Sequence, residues 1–88
     1  MKKNKNVIKT ETFTDGGFNI DVIETKDEYE AWIGFKNFCV KDYMFGMSKK
    51  QSNGNNVTYT DFIEMVECEL LTDKKLFIDD HPEVLMSI

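Results

Sequence analysis

Residues 10–25 read TETFTDGGFNIDVIET, and how this stretch is parsed decides the fold. Its second half alternates: Phe18, Ile20 and Val22 fall on one side of an extended chain, Asn19 and Asp21 on the other. Side chains switch sides at every residue of a strand, so this period of two marks a half-buried strand rather than a helix. The preceding run, Val7–Thr14, alternates too and is rich in Thr and β-branched residues, which suits a second strand. Between them stands Asp15-Gly16-Gly17. Glycine reaches positive φ without a Cβ clash, so Asp-Gly between two alternating runs predicts a hairpin. Ile23 interrupts the polar side of the second strand and implies cover on both faces at that end.

After the hairpin, Lys26-Asp27-Glu28 makes a polar break. Tyr29–Lys36 then has two readings. As a strand it sets Tyr29, Ala31, Ile33 and Phe35 on one face, with Glu30, Trp32 and Gly34 on the other. As a helix it would start at a capping box of Thr25 and Glu28 and gather Tyr29, Trp32, Ile33 and Lys36 on one side. The aromatic content, Gly34 and the short length favour the strand. Val40–Met47, with Tyr43, Met44 and Phe45, reads as a buried strand, and the polar run SKKQSNGNN (residues 48–56) as a loop.

The rest predicts one helix. Thr58 or Thr60 can cap its N-terminus, and Asp61 and Glu64 in the first turn favour the positive end of the helix dipole. Tyr59, Phe62, Ile63, Val66, Leu70 and Phe77 recur at helical spacing, with Asp61, Glu64, Glu67 and Cys68 on the far side. The helix is expected to end between Thr72 and Asp80, because Pro82 disfavours helical geometry at His81. The fold class that follows is α+β: an antiparallel β-meander of three to four strands, then one amphipathic helix packed on one face (ββββα). Its open face is expected to carry Asp21, Glu24, Glu30 and Trp32. The expected domain organisation is a flexible basic N-terminal tail at residues 1–6 and a single domain over residues 7–88. Seven Phe, three Tyr and one Trp give that domain a core despite its size.

Charge is sorted into blocks. Residues 1–10 hold four lysines and no acid, and residues 11–30 hold seven acids against Lys26. Residues 31–60 are again basic, and residues 61–83 hold eight acids against Lys74 and Lys75, for a net charge of −5. Arginine is absent. Without a guanidinium there is no bidentate donor for guanine edges or phosphates, so direct nucleic-acid binding is not expected. No apolar run reaches the roughly 20 residues needed to span a bilayer, and no apolar segment follows the N-terminal lysines, so neither a membrane span nor a secretory signal is read. A cytoplasmic location is expected. In that reducing setting Cys39 and Cys68, 29 positions apart, are expected as free, mostly buried thiols.

Catalytic patterns are missing. One histidine cannot build a zinc site of two or three His. Asp79-Asp80-His81 reads as an exposed turn, and pairing of His81 with Cys39 or Cys68 as a nucleophile is disfavoured by their separation. There is no phosphate-binding glycine loop and no calcium-binding loop. The expectation is a non-enzymatic protein with no cofactor and no metal.

What remains is surface. The bland account of the acids is a solvated face that keeps a small protein soluble. The sharper one is that Asp27, Glu28 and Glu30 at one turn, and Asp61, Glu64 and Glu67 along the helix, form an anionic surface, with Trp32 and Tyr43 as apolar anchors. Carboxylates about 5–6 Å apart on a helix can stand where phosphates would, and would draw in a protein partner with a basic surface. In composition the whole chain resembles small acidic, arginine-poor, Asn- and Lys-rich proteins of phages and mobile elements, including inhibitors of restriction or CRISPR nucleases. That likeness implies an inhibitor or accessory protein that occludes a basic, nucleic-acid-handling surface. The alternative is a structural, self-associating subunit, a homodimer through edge strands or exposed aromatics.

Overall fold

The computed structural model describes residues 7–87. It has four antiparallel strands, β1 (Val7–Asp15), β2 (Phe18–Thr25), β3 (Glu28–Phe35) and β4 (Lys41–Ser48), in the order β1-β2-β3-β4, then one helix, α1 (Tyr59–Asp80). This is the expected ββββα meander. The basic tail expected at residues 1–6 lies outside the described residues.

The hairpin forms where the glycines require it. Asp15 pairs with Phe18 across Gly16 and Gly17, whose φ values are +60° and +90°. Positive φ at both central residues matches the right-handed twist of the strands they join. The pairing of β2 with β3 sets Phe18, Ile20 and Val22 beside Phe35, Ile33 and Ala31. These six residues and Tyr29 are buried and form the sheet's contribution to the core. Tyr29–Lys36 is therefore a strand, apart from Lys36 itself. The Thr25/Glu28 pair that could have capped a helix closes the β2–β3 turn instead: the Thr25 hydroxyl accepts from the Glu28 N–H at 3.0 Å.

Thr58 caps α1 through a full capping box. Its side chain accepts from the Asp61 N–H, and the Asp61 carboxylate accepts from the Thr58 N–H. Phe62, Val66 and Phe77 are buried, with Tyr59, Ile63 and Leu70 packed around them. The Tyr29 and Phe62 rings stack at 5.1 Å, and Phe77 meets Phe18 edge-on at 6.1 Å. The helix runs to Asp80. A 3-10 turn at Pro82–Ser87 then brings Val84 into the core, while Leu85 and Met86 stay exposed.

Three local expectations change. β4 is an edge strand of alternating exposed and half-buried residues, because it is paired on one side only and a register irregularity opposite Ala31 and Trp32 breaks its run. Cys39 and Cys68 are exposed, one in the β3–β4 connection and the other on the outer side of α1. Glu24 shares its side of β2 with Phe18, Ile20 and Val22, and pairs there with Lys49 at 2.7 Å.

A sheet of four strands is about 19 Å wide, whereas a helix with its side chains spans about 10–12 Å. One helix cannot cover it. α1 lies over β3 and reaches β4; it meets β1 through long side chains, Tyr59 to Glu11 and Lys74 to Asp15, which leaves Phe13 part-exposed.

Candidate protein-binding surface

The expected site residues lie on three different surfaces. Trp32, Tyr43 and Glu30 belong to the outer face of the sheet, which no helix covers. Trp32 and Tyr43 are cross-strand partners whose rings meet edge-on at 5.2 Å. Tyr43 is 54% exposed, and its side chain lies over Gly46. Glu30 differs from the expected exposed acid: it is only 9% exposed, and its carboxylate accepts the Trp32 indole N–H at 3.1 Å. It fixes the indole rather than facing a partner. Asp27 and Glu28 sit at the exposed β2–β3 turn, at one end of the sheet.

Asp61, Glu64 and Glu67 belong to α1, in the layer on the opposite side of the sheet from Trp32 and Tyr43. Asp61 is committed to the capping box. Glu64 and Glu67 are exposed, one turn apart, and neither makes an ion pair among the described residues. Leu71, seven positions after Glu64, completes that stripe and is 80% exposed. The pattern signalled it: in Leu70-Leu71 only one of two adjacent leucines can face the core, and Leu70 already fills a place in the buried stripe.

The acids of the sheet are spent differently. Asp15 pairs with Lys74 at 2.9 Å, Glu24 with Lys49, and Asp21 with Lys41. Glu11 lies 3.8 Å from Lys9 and accepts a hydrogen bond from the Tyr59 hydroxyl. Lys9 stands 4.0 Å over the Tyr59 ring. Burial, followed by donation to Glu11, pushes the Tyr59 hydroxyl well above the ordinary tyrosine range. Burial likewise raises Tyr29, whose hydroxyl donates to the Val57 carbonyl at 3.1 Å; the Lys49 ammonium opposes that rise.

His81 is half-buried and not the exposed turn expected from the sequence. Its backbone N–H closes the end of α1 on the Phe77 carbonyl at 2.8 Å, and its ring stands 4.6 Å from Phe77. Nε2 lies 3.0 and 3.1 Å from the two carboxylate oxygens of Asp42 on β4. That hydrogen bond raises the imidazole above its ordinary 6.5, against a smaller opposing effect of burial. The pair ties the C-terminal end of the helix to an edge strand. Asp73, half-buried on α1, is also raised, by burial and then by the Glu69 carboxylate.

Among the described residues no group of three or more His, Cys, Asp or Glu is placed to hold a metal ion, and no helix is long and apolar enough to cross a membrane. Comparison with protein families, with curated proteins and with solved structures finds no match to this chain.

Proposed function

We infer that this chain is a small non-enzymatic protein-binding module that occludes a basic, nucleic-acid-handling surface of a protein partner through the outer side of α1. The observation that carries the reading is the division of its acids. Asp15, Asp21, Glu24 and Asp42 of the sheet pair with Lys74, Lys41, Lys49 and His81, whereas Glu64 and Glu67 are exposed and make no ion pair among the described residues, close to the exposed Leu71. An anionic stripe with one apolar anchor speeds encounter with a basic surface and then holds it by desolvated contact. Leu71 takes the anchoring role, because Trp32 and Tyr43 lie across the sheet and cannot meet the same flat partner surface. A phage or mobile-element inhibitor acting in the cytoplasm is the biological form of this reading, supported by composition and by two unpaired thiols suited to a reducing compartment.

The test is capture of partners from cell extract by the wild type and by Glu64→Lys, Glu67→Lys and Leu71→Ala variants, at about 0.15 M and about 1 M salt. The Debye length falls from about 8 Å to about 3 Å between those conditions. A basic partner should be lost with either charge reversal and with high salt. A partner held equally by all variants and indifferent to salt would sink the reading.

A further inference from the structure

We propose that β1 is a dimerisation edge, through which two copies of this chain join antiparallel about a two-fold axis at Thr12 to form one continuous sheet of doubled width. This interface is separate from Glu64 and Leu71, whereas Glu67 borders the cavity beside Phe13.

β1 is a nine-residue strand paired on one side only, and all of it except Glu11 is exposed. It carries no proline. Its one register irregularity, between Val7 and Lys9, leaves Lys9–Asp15 unbroken. Natural sheet edges are commonly blunted by proline, short length, central bulges or charged side chains; the regular part of β1 has only the last, Lys9, Glu11 and Asp15, and its pairing must match those charges. In a two-residue hairpin the closing pair, here Asp15 and Phe18, exchanges its backbone hydrogen bonds; alternate residues then turn their N–H and C=O groups outward. On β1 these are Thr10, Thr12 and Thr14, which present an unpaired ladder to the free edge.

The side chains choose a second copy and set the register. With Thr12 opposite Thr12, each Lys9 comes opposite the other copy's Asp15, and each Thr10 opposite Thr14. Opposite charges and Thr–Thr pairs are favourable cross-strand neighbours. Centring the pair on Glu11 would set two glutamates face to face on the helix side of the sheet. Centring it on Thr10 would draw in the irregular Val7–Lys9 segment and lose the regular ladder beyond. Around the Thr12 axis the charges balance: Asp15 lies between its own Lys74 and the incoming Lys9, and Lys9 between its own Glu11 and the incoming Asp15.

The helix side supplies apolar area. Phe13 is 40% exposed and lines a cavity of about 290 Å³ with Ile20, Ile63, Val66 and Leu70, bordered by Asp15 and Glu67. Around the Thr12 axis Phe13 becomes the diagonal neighbour of its own copy, within reach of an aromatic side chain. The two cavities then face one another across the seam, with both Phe13 rings between them. The part-exposed inner side of β1 is thus covered along its outer border.

The experiment uses the full chain. Sedimentation equilibrium over a micromolar concentration series should give twice the 10.3 kDa monomer mass. Lys9→Glu or Asp15→Lys alone should return the monomer mass, and the two together should restore the dimer, with circular dichroism checking that each variant is folded. Register is read in a Cys39→Ser, Cys68→Ser background. Thr12→Cys should crosslink under mild oxidation, because the two-fold brings its Cα atoms to about 5.5 Å, within disulfide range. Thr10→Cys should not, since its two copies would lie about 14 Å apart along the strands. A monomer at every concentration overturns the proposal. So does a dimer that crosslinks at Thr10 as readily as at Thr12, or one indifferent to both charge reversals.

Discussion

Gly16 and Gly17 stand side by side in the β1–β2 turn, both at positive φ, yet alanine at the two positions should have different consequences. At Gly16 (φ +60°) a Cβ would meet nothing within 4 Å. The cost is the left-handed backbone, about 1–2 kcal/mol for a residue with a Cβ. It is partly offset by about 0.4–1 kcal/mol from restricting the unfolded chain. Gly16→Ala should therefore cost about 1 kcal/mol. At Gly17 (φ +90°) the same backbone strain applies, and the new Cβ would lie 2.9 and 3.1 Å from two atoms of the Phe35 ring. That ring is buried and wedged edge-on against Phe18 at 4.9 Å, so it cannot simply retreat. Overpacking of this kind adds about 1–3 kcal/mol. A chain of this size has on the order of 4–13 kcal/mol in total, so Gly17→Ala takes a substantial share. With a urea slope of about 1 kcal/mol per molar, the midpoint of Gly17→Ala should lie about 1–3 M below that of Gly16→Ala. Urea unfolding followed by far-UV circular dichroism and by Trp32 fluorescence reads the difference directly. Phe35→Leu should recover part of it, since contacting residues couple by about 0.5–3 kcal/mol. Coincident midpoints for the two alanine variants would refute the packing of the hairpin turn on Phe35.

Two further outcomes follow from the placement of single side chains. Asp42 raises the folded-state pKa of His81 above its unfolded 6.5, so the stabilisation is fully present below pH 6.5 and is lost as pH rises through the folded value. Asp80 and Glu83 reinforce the same direction. The thermal midpoint should accordingly fall across that window in the wild type, and by less in Asp42→Asn; identical pH profiles would show that the pair does not form. Cys39 and Cys68 should both react with a thiol reagent in the native protein, whereas reaction that waits for urea would contradict their exposure.

What the sequence made legible is what is local. The Asp15-Gly16-Gly17 turn, the period of two in Phe18–Thr25 and the Thr58 cap each act through neighbours a few positions away, and each appears where its signal stood. The Thr25/Glu28 signal shows the limit of such reading. A hydroxyl placed to accept from the N–H three residues on serves a helix cap and a strand-connecting turn alike, and only the pairing of Tyr29 with Met47 and Glu24 decides between them. Contacts distant in sequence were not legible. His81 meets Asp42 from 39 positions away, and Glu30, on the outer face where strand alternation placed it, is buried there against Trp32. Exposure of β4 was hidden because an apolar run looks the same on an edge strand as in the middle of a sheet.

The charge blocks resolve into a physical division once the elements are in place. Asp15–Lys74, Asp21–Lys41, Glu24–Lys49 and Asp42–His81 each join residues from different parts of the chain. Exposed or half-exposed pairs of this kind contribute about 0–1 kcal/mol each, so stability is not their main effect. Their larger effect is to cancel the field of the sheet, which leaves acids without an ion pair among the described residues on the outer side of α1 and at the Asp27–Glu28 turn. The two proposed surfaces then answer to salt in different ways. Attraction of a basic partner to Glu64 and Glu67 is long-range and uncancelled, so it should weaken steeply as salt rises. The β1 edge is locally balanced, Lys9 and Lys74 against Glu11 and Asp15, and two copies of an acidic chain also repel one another. Screening therefore weakens the Lys9–Asp15 pairs and the mutual repulsion together, and dimerisation should change little. A chain with a net charge of −5 can in this way meet its own copy along one edge while Glu64 and Leu71 stay open to a different partner on the helix.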